Sequence, residues 1–477
     1  MNNMKNEFSR RSLIRGTAQA GLASLILPLT GFANSKPEEK KAKEEVQTLT
    51  APNFEAYALI FTPAVIYATE GVETNIYFDN VLFSNLPNTL LDIDITCNKG
   101  RQYEKFWRIK PSAEDAETTV WKIDVRFDGK LIASKTSELV ITNSKTASGK
   151  SIKVLCIGDS TTAGGQYVSI VNTDYQPLAS PSMTFLGTKG LAPDNHEGRG
   201  GWKFVQYAGD GGISSVKFNM KGVDEAPGMG AVYSNNQSEF TVSEINLDGK
   251  NGYISARRTK GSSNPELKGK LIKVSGVGAT SLAYSDISIV AGNPFWNSDT
   301  KRLDFKKYLK DHGYTLNADD LITVHLGIND VFNGVVSSEK LESIKADFNK
   351  MIKEFRSVIP NINIALCLTI PPAISQDAFA ISYANGQSLN GYMNNYKQLL
   401  AFLINNYDTP EMRASKLYCI GFNHCIDRTN NFNKATMPAN SRSKELIETW
   451  VNGVHPDKTG YYQMGDALYT FIRNLYK

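Results

Sequence analysis

Val154-Leu155-Cys156-Ile157-Gly158-Asp159-Ser160-Thr161-Thr162 is the stretch that decides the fold. Four apolar residues in succession, without polar alternation, suit a strand buried on both faces of a parallel sheet. The Gly158-Asp159-Ser160 that follows stands at the carboxyl end of that strand, where open α/β sheets receive their ligands. With a helix starting just after it, Ser160 also brings a backbone N–H toward whatever its hydroxyl approaches. Alone, the tripeptide reads equally well as a helix N-cap. The rest of the chain has to decide.

Downstream, Leu321–Leu326 and Ile362–Ile370 repeat the buried-strand pattern. Apolar stripes at Leu341, Ile344, Phe348, Met351, Ile352 and Phe355, and at Met464, Leu468, Phe471, Ile472 and Leu475, give two helices one greasy face each. Strands alternating with such helices make residues 150–477 an α/β domain with helices covering the sheet. One stretch, 206–291, breaks the rhythm. It is rich in Gly, Ser, Asn and Thr, holds strand-like pieces at Leu271–Val274 and Ile287–Val290, and is expected to be a β-rich insertion. Upstream, residues 51–146 show period-two runs at Leu91–Thr96, Thr118–Phe127 and Glu138–Thr142, with Asp128-Gly129 as a turn and no helical stripe. A small antiparallel β-sandwich is expected there.

The 477 residues are 41% hydrophobic and 21% charged, enough to bury sizeable cores. The formal charge of +4 is mostly local, because Lys5, Arg10, Arg11 and Arg15 oppose only Glu7 in the first 33 residues. The near-neutral remainder lacks the basic footprint a nucleic acid requires. Five cysteines, without Cys-x-x-Cys spacing, indicate neither a disulfide scaffold nor a metal site. Cys419 and Cys425 are a pair that could bridge in an oxidising compartment, while Cys156 and Cys367 lie in apolar runs as buried thiols. Ser9-Arg10-Arg11-Ser12-Leu13-Ile14-Arg15, the short apolar run Leu22–Leu29 and the small residues of Gly31-Phe32-Ala33, with cleavage after Ala33, resemble a twin-arginine export signal over 1–33. That run is too short for a stable bilayer span, and no cysteine precedes Cys97 to carry a lipid. Residues 34–50, with interspersed lysines and glutamates, read as a solvated linker. The expected destination is the periplasm or the medium, with no stable membrane anchor.

Three further pieces join Ser160. His196-Glu197-Gly198-Arg199-Gly200-Gly201-Trp202 is a glycine-rich loop whose backbone can approach a ligand closely. Gly327-Ile328-Asn329-Asp330 directly follows a strand, and His455-Pro456 precedes the last helix. A serine, a donor amide and a histidine, each at a strand or loop end, form an acyl-transfer constellation. Taken in order, the four blocks resemble those of the SGNH (GDSL-type) hydrolases over about residues 151–205 and 293–477. The glycine loop resembles that of the carbohydrate esterases in the group. The resemblance implies a flavodoxin-like three-layer α/β/α hydrolase domain. It implies Ser160 as nucleophile and His455 as general base. The oxyanion would be held by the N–H groups of Ser160 and Gly201, with Gly200 the neighbouring alternative, and by the Asn329 side chain. It calls for no cofactor and no metal.

One position departs from the family pattern. Asn452 stands three residues before His455, where the family has the aspartate that steadies the imidazolium. Three readings follow: its carbonyl oxygen serves as the ring's acceptor, a backbone carbonyl does so instead, or the site is degraded; in a serine protease the equivalent Asp→Asn change lowers turnover about 10⁴-fold. Asp427 and Asp457 are alternative carboxylates, with turn and cap roles the simpler expectation. Asp159 is expected to organise its turn. Trp202 and Trp450 flank two blocks as candidate sugar platforms, against core packing as the default for tryptophan. His312 and His424 have no motif around them and His325 lies inside a strand, so a hydrogen-bonded structural role is the default expectation.

The functional expectation is therefore an exported serine esterase, acting on a small-molecule or polysaccharide ester and removing acyl groups such as acetyl from carbohydrate. The alternatives are a lipid or aryl esterase, a thioesterase, or a non-catalytic carbohydrate-binding protein on an SGNH fold.

Overall fold

The computed structural model describes residues 56–477 apart from 176–180, 212, 236–237, 261–265, 267 and 385. The export signal and linker expected over 1–33 and 34–50 lie outside the described residues.

Strand Ser151–Gly158 is the hub. It pairs in parallel with Ser182–Leu186 on one side and Leu321–His325 on the other. The sheet continues through Asn363–Cys367 to Leu417–Ile420, all parallel. Numbered along the chain, these five strands run 2-1-3-4-5 across the sheet, the doubly-wound order whose switch point lies between the first and third strands. A two-residue strand, Glu197–Gly198, pairs with the very end of the hub strand.

Alternate side chains of the hub strand feed two cores. Leu155 and Ile157 pack with Phe348, Met351 and Phe355 of helix Ser338–Val358 and with Leu399 and Leu403 of helix Leu389–Tyr407. Val154 and Cys156 pack with Tyr167 and with Met464, Leu468, Phe471 and Ile472 of helix Lys458–Leu475. The mixed α/β fold follows from that two-sided burial. Local signals set the helix ends: Ser337, Ser388 and Asp457 each accept a hydrogen bond from a backbone N–H of the first turn. Strand Asn363–Cys367 stops three residues short of the expected Ile370, ahead of Pro371-Pro372, which have no N–H to offer a ladder.

In the N-terminal β-region, Thr118–Phe127 pairs antiparallel with Asp92–Thr96 and with Lys130–Thr142. The second pairing turns at Asp128-Gly129, both at positive φ (49° and 80°) as a tight two-residue hairpin turn requires. One pairing departs from the antiparallel expectation: Val65–Thr69 runs parallel to Lys130–Thr142. A three-stranded sheet, Thr74–Tyr77, Phe106–Ile109 and Arg101–Gln102, supplies Ile76 and Trp107 to a core shared with Trp121, Ile123 and Leu139. This region and the parallel sheet belong to one compact unit, Glu55–Lys477. Asn80 Nδ2 donates to the Ile426 carbonyl (2.8 Å) and Asn423 Nδ2 to that of Phe61 (2.9 Å), tying the two together.

The expected β-rich insertion contains a closed six-stranded barrel, from Ile213–Lys221 round to Ser281–Ala291, which pair with each other to shut it. Its core includes Phe218, Tyr233, Phe240, Ile254 and Leu271. The β-structure begins later than the expected residue 206. Phe204–Ala208 is a short helix that buries Phe204, Tyr207 and Ala208 in the core that holds Leu155 and Ile157, with Gln206 Oε1 accepting from Lys203 N–H.

Cys419 and Cys425 do not bridge. Both are free and buried, and they belong to the cores on opposite sides of the sheet. Among the described residues no helix is long and apolar enough to cross a membrane. Of the five cysteines only Cys97 is partly exposed. A thiol reagent should therefore modify Cys97 alone in native protein, and all five after unreduced protein is unfolded in guanidinium; fewer than five on unfolding would reveal a disulfide.

Candidate active site

Ser160 opens a four-residue helical turn directly after the hub strand. Asp159 caps that turn: its Oδ1 accepts from Thr161 N–H (3.0 Å) and from the Thr161 hydroxyl (2.8 Å). Thr161 Oγ1 lies 2.9 Å from Nδ1 of His325, the last residue of the neighbouring strand. With the hydroxyl proton directed to Asp159, His325 Nδ1–H is the donor in that contact.

The glycine-rich loop is clamped to the same strand end. Arg199 N–H donates to the Gly158 carbonyl (2.9 Å), and Trp202 N–H closes a turn onto the Arg199 carbonyl (3.2 Å). Gly201, third in that turn, has φ +75°, a conformation that favours glycine. Gly198 is required for a different reason: a Cβ there would stand 2.3 Å from the Ala163 backbone nitrogen. Beneath the loop, Glu197 is fully buried. It accepts from Arg199 Nη1 (2.6 Å), Thr188 N–H (2.7 Å) and the Tyr308 hydroxyl (2.8 Å).

Asn329 occupies the single helical turn after strand Leu321–His325, at the other side of the switch point. Its Nδ2 donates to the Trp202 carbonyl (3.1 Å), which leaves one amide hydrogen uncommitted among the described residues. Asp330 Oδ2 accepts from Phe204 N–H (3.2 Å), so the asparagine block and the glycine loop lock together. Burial pushes the Asp330 carboxyl up to about 7.

His455 arrives from the far end of the chain. Its Nε2 is 2.7 Å from Ser160 Oγ. Burial lowers the ring's pKa, and the Asp159 carboxylate opposes that shift. A neutral imidazole in hydrogen-bond contact with a serine hydroxyl is equipped to take its proton. The loop that delivers it is built on Asn452, whose Oδ1 accepts from Val454 N–H (3.0 Å) and His455 N–H (2.9 Å). This differs from the acceptor role open to Asn452 in the sequence: its carbonyl oxygen shapes the backbone and bonds to no ring nitrogen, because two amides already occupy it.

The other candidates fall elsewhere. Trp202 is 9% exposed and packs against Tyr207 (4.7 Å between ring centroids) under the Arg199 guanidinium (5.0 Å), in the core instead of on an open platform. Trp450 is half-buried on strand Leu446–Trp450, donating Nε1–H to the Thr429 carbonyl (3.0 Å) with Lys434 over its ring (4.7 Å). Asp457 caps the last helix, and Asp427 accepts from Thr429 and Asn430 N–H groups. His424 bonds the Asn75 carbonyl, and His312 ends a helix against Tyr308 and Tyr314. Sequence reading passed over Glu197, Asp330 and the Thr161–His325 contact. Glu197 and Asp330 were visible within quoted motifs, but their burial was not. Among the described residues no group of three or more His, Cys, Asp or Glu side chains is arranged to hold a metal ion.

The raised Asp330 carboxyl has a signed consequence for stability. The unfolded chain ionises near 3.8 and the folded one near 7. Its stabilising contribution is thus complete at low pH and is lost as pH rises toward about 7. Asp330→Asn keeps an acceptor for Phe204 N–H and cannot ionise. Its melting temperature should exceed the parent's at pH 8, and the difference should close as the pH falls toward 4. A difference that grows toward acid would refute this.

No curated protein matches the chain. Solved structures similar to it include a possible lipase from Chitinophaga pinensis DSM 2588, at 13% identity over 68% of this chain and 98% of that one, with a TM-score of 0.30. Another is the carbohydrate acetylesterase Est24 from Sinorhizobium meliloti, at 10% identity over 68% and 99%, with a TM-score of 0.29. A third is a carbohydrate esterase family 2 enzyme with its carbohydrate binding domain from Corynascus thermopiles (Myceliophthora fergusii), at 10% identity over 88% and 92%, with a TM-score of 0.28. Residues 154–468, which include Ser160, the glycine loop, Asn329 and His455, match GDSL-like Lipase/Acylhydrolase, and the chain belongs to that family of ester-hydrolysing enzymes.

Proposed function

We propose that the protein is an exported serine esterase that removes small acyl groups, acetyl foremost, from carbohydrate. The observation that carries the catalytic part is the 2.7 Å contact between Ser160 Oγ and His455 Nε2 at the sheet's carboxyl edge. In this reading Ser160 attacks the ester carbonyl while His455 Nε2 takes the hydroxyl proton. The resulting oxyanion is held by the N–H groups of Ser160 and Gly201 and by the Asn329 amide. Collapse expels the alcohol, which leaves with the proton from His455. Water then repeats the sequence on the acyl-enzyme and releases the acid. Asn452 acts on His455 through the backbone of its loop.

The carbohydrate substrate rests on the likeness of His196–Trp202 to the glycine loop of carbohydrate esterases and on the two β-rich regions beside the hydrolase core. Export rests on the arginine pair Arg10-Arg11, the short apolar run and the small residues Gly31 and Ala33. It would place the enzyme in the periplasm or outside the cell.

A fluorophosphonate probe read by intact mass tests the nucleophile. One adduct on the parent and none on Ser160→Ala is the expected result; no adduct on folded parent overturns the assignment. Acetylated oligosaccharides are the first substrates to assay. Asn329→Ala should lower kcat about 10²–10³-fold with a smaller effect on KM, and an unchanged kcat would remove Asn329 from the oxyanion site.

A further inference from the structure

Asp159 is 1% exposed, and the catalytic reading above leaves it without a role beyond its turn. Burying a carboxylate is expensive unless it is paired or well hydrogen-bonded. Among the described residues no lysine or arginine pairs with it; its Oδ1 receives the two donors of Thr161. Thr161 is itself aligned by His325, so the carboxylate is held by a buried chain that runs from His325 through Thr161. Its neighbour in sequence is the serine that contacts His455. At the histidine, meanwhile, the usual source of negative charge is missing. Residue 452 is a neutral amide with its oxygen committed to two backbone N–H groups, and Asp457 and Asp427 are occupied in caps and turns.

We infer that Asp159 supplies, from the nucleophile's side of the site, the negative charge that the histidine loop lacks, steadying the His455 imidazolium while Ser160 adds to the ester. The inference rests on the esterase reading of Ser160 and His455. When the Ser160 proton moves to Nε2, the ring becomes cationic and the Asp159 carboxylate takes up no proton. The charge acts across space, and Asp159 is a positioning residue that works through His455. Asp159 directly precedes Ser160, whose Oγ lies 2.7 Å from Nε2 of the His455 ring. The Thr161 hydroxyl links the carboxylate to the buried His325 ring, and burial lowers the pKa of that ring, so it brings no positive charge at neutral pH. The opposing effect of Asp159 on the burial-lowered His455 pKa has the sign this role requires. It also explains why an aspartate is placed where serine or asparagine would cap the helix equally well.

The decisive measurement is the titration of His455 by NMR in protein carrying ¹³C-labelled histidine, with its resonance identified by its loss in His455→Gln. Only five histidines contribute. In Asp159→Asn the His455 midpoint should fall. On p-nitrophenyl acetate kcat should fall at least about tenfold, with KM nearly unchanged, and the acid limb of the rate profile should move to lower pH. An unmoved His455 midpoint overturns the inference, even if activity is lost, because a purely structural cap would cost turnover without shifting the ring. Should the asparagine variant not fold, Asp159→Ser, which caps without charge, is read in the same way. A parent with no Ser160-dependent turnover would refute the esterase reading, and the titration would still decide whether Asp159 sets the charge at His455.

Discussion

Burial of strand Ser151–Gly158 on both faces is the constraint from which the site follows. Val154 and Cys156 belong to one core and Leu155 and Ile157 to the other, so the strand can neither turn over nor slip by one residue without exchanging the two sets. With its register fixed, Gly158 stands opposite His325 on one neighbour and Gly198 on the other. Three of the four motif blocks therefore meet along one line across the sheet. The fourth, which carries His455, leads into helix Lys458–Leu475, whose apolar face packs on the Val154–Cys156 side. A contact between residues 295 positions apart in the chain is thus a consequence of core packing.

What could be read from the sequence was whatever depends on local pattern. Thr118–Phe127 has the bounds its alternation indicates, and the hub strand and the two long helices fall on their apolar runs and stripes. Lys130–Thr142 was legible only over its last five residues, because its first half is polar and owes its strand conformation to the hairpin with Thr118–Phe127. The barrel could be recognised as β-rich but not as closed. Closure joins Ile213–Lys221 to Ser281–Ala291, a pairing across some seventy residues that no short-range signal encodes. The parallel pairing of Val65–Thr69 with Lys130–Thr142 escaped for the same reason.

At the site, sequence spacing named the groups and was silent on where their atoms point. Asn452 lies at the family's aspartate position, yet its oxygen is directed at two backbone amides. Trp202 lies in the motif, and its backbone carbonyl, through Asn329, matters more to the site than its ring. A side chain's hydrogen-bond partner depends on a rotamer and on whichever neighbours reach it, and neither is written in the one-dimensional pattern.

The three acidic residues inside the motif blocks show how a buried carboxylate is accommodated in three ways within one site. Glu197 has the Arg199 guanidinium together with neutral donors, a complete shell that holds the glycine loop rigid. Asp330 receives one backbone N–H, and burial then outweighs the distant lysines, so its proton is held to near-neutral pH. Asp159 has two donors from a single threonine and, among the described residues, no lysine or arginine paired with it. Had an arginine paired with it, the negative charge would be cancelled locally and would contribute nothing at His455. With hydrogen bonds from Thr161 and no such partner, the field of the carboxylate is left uncancelled beside the serine that gives its proton to His455.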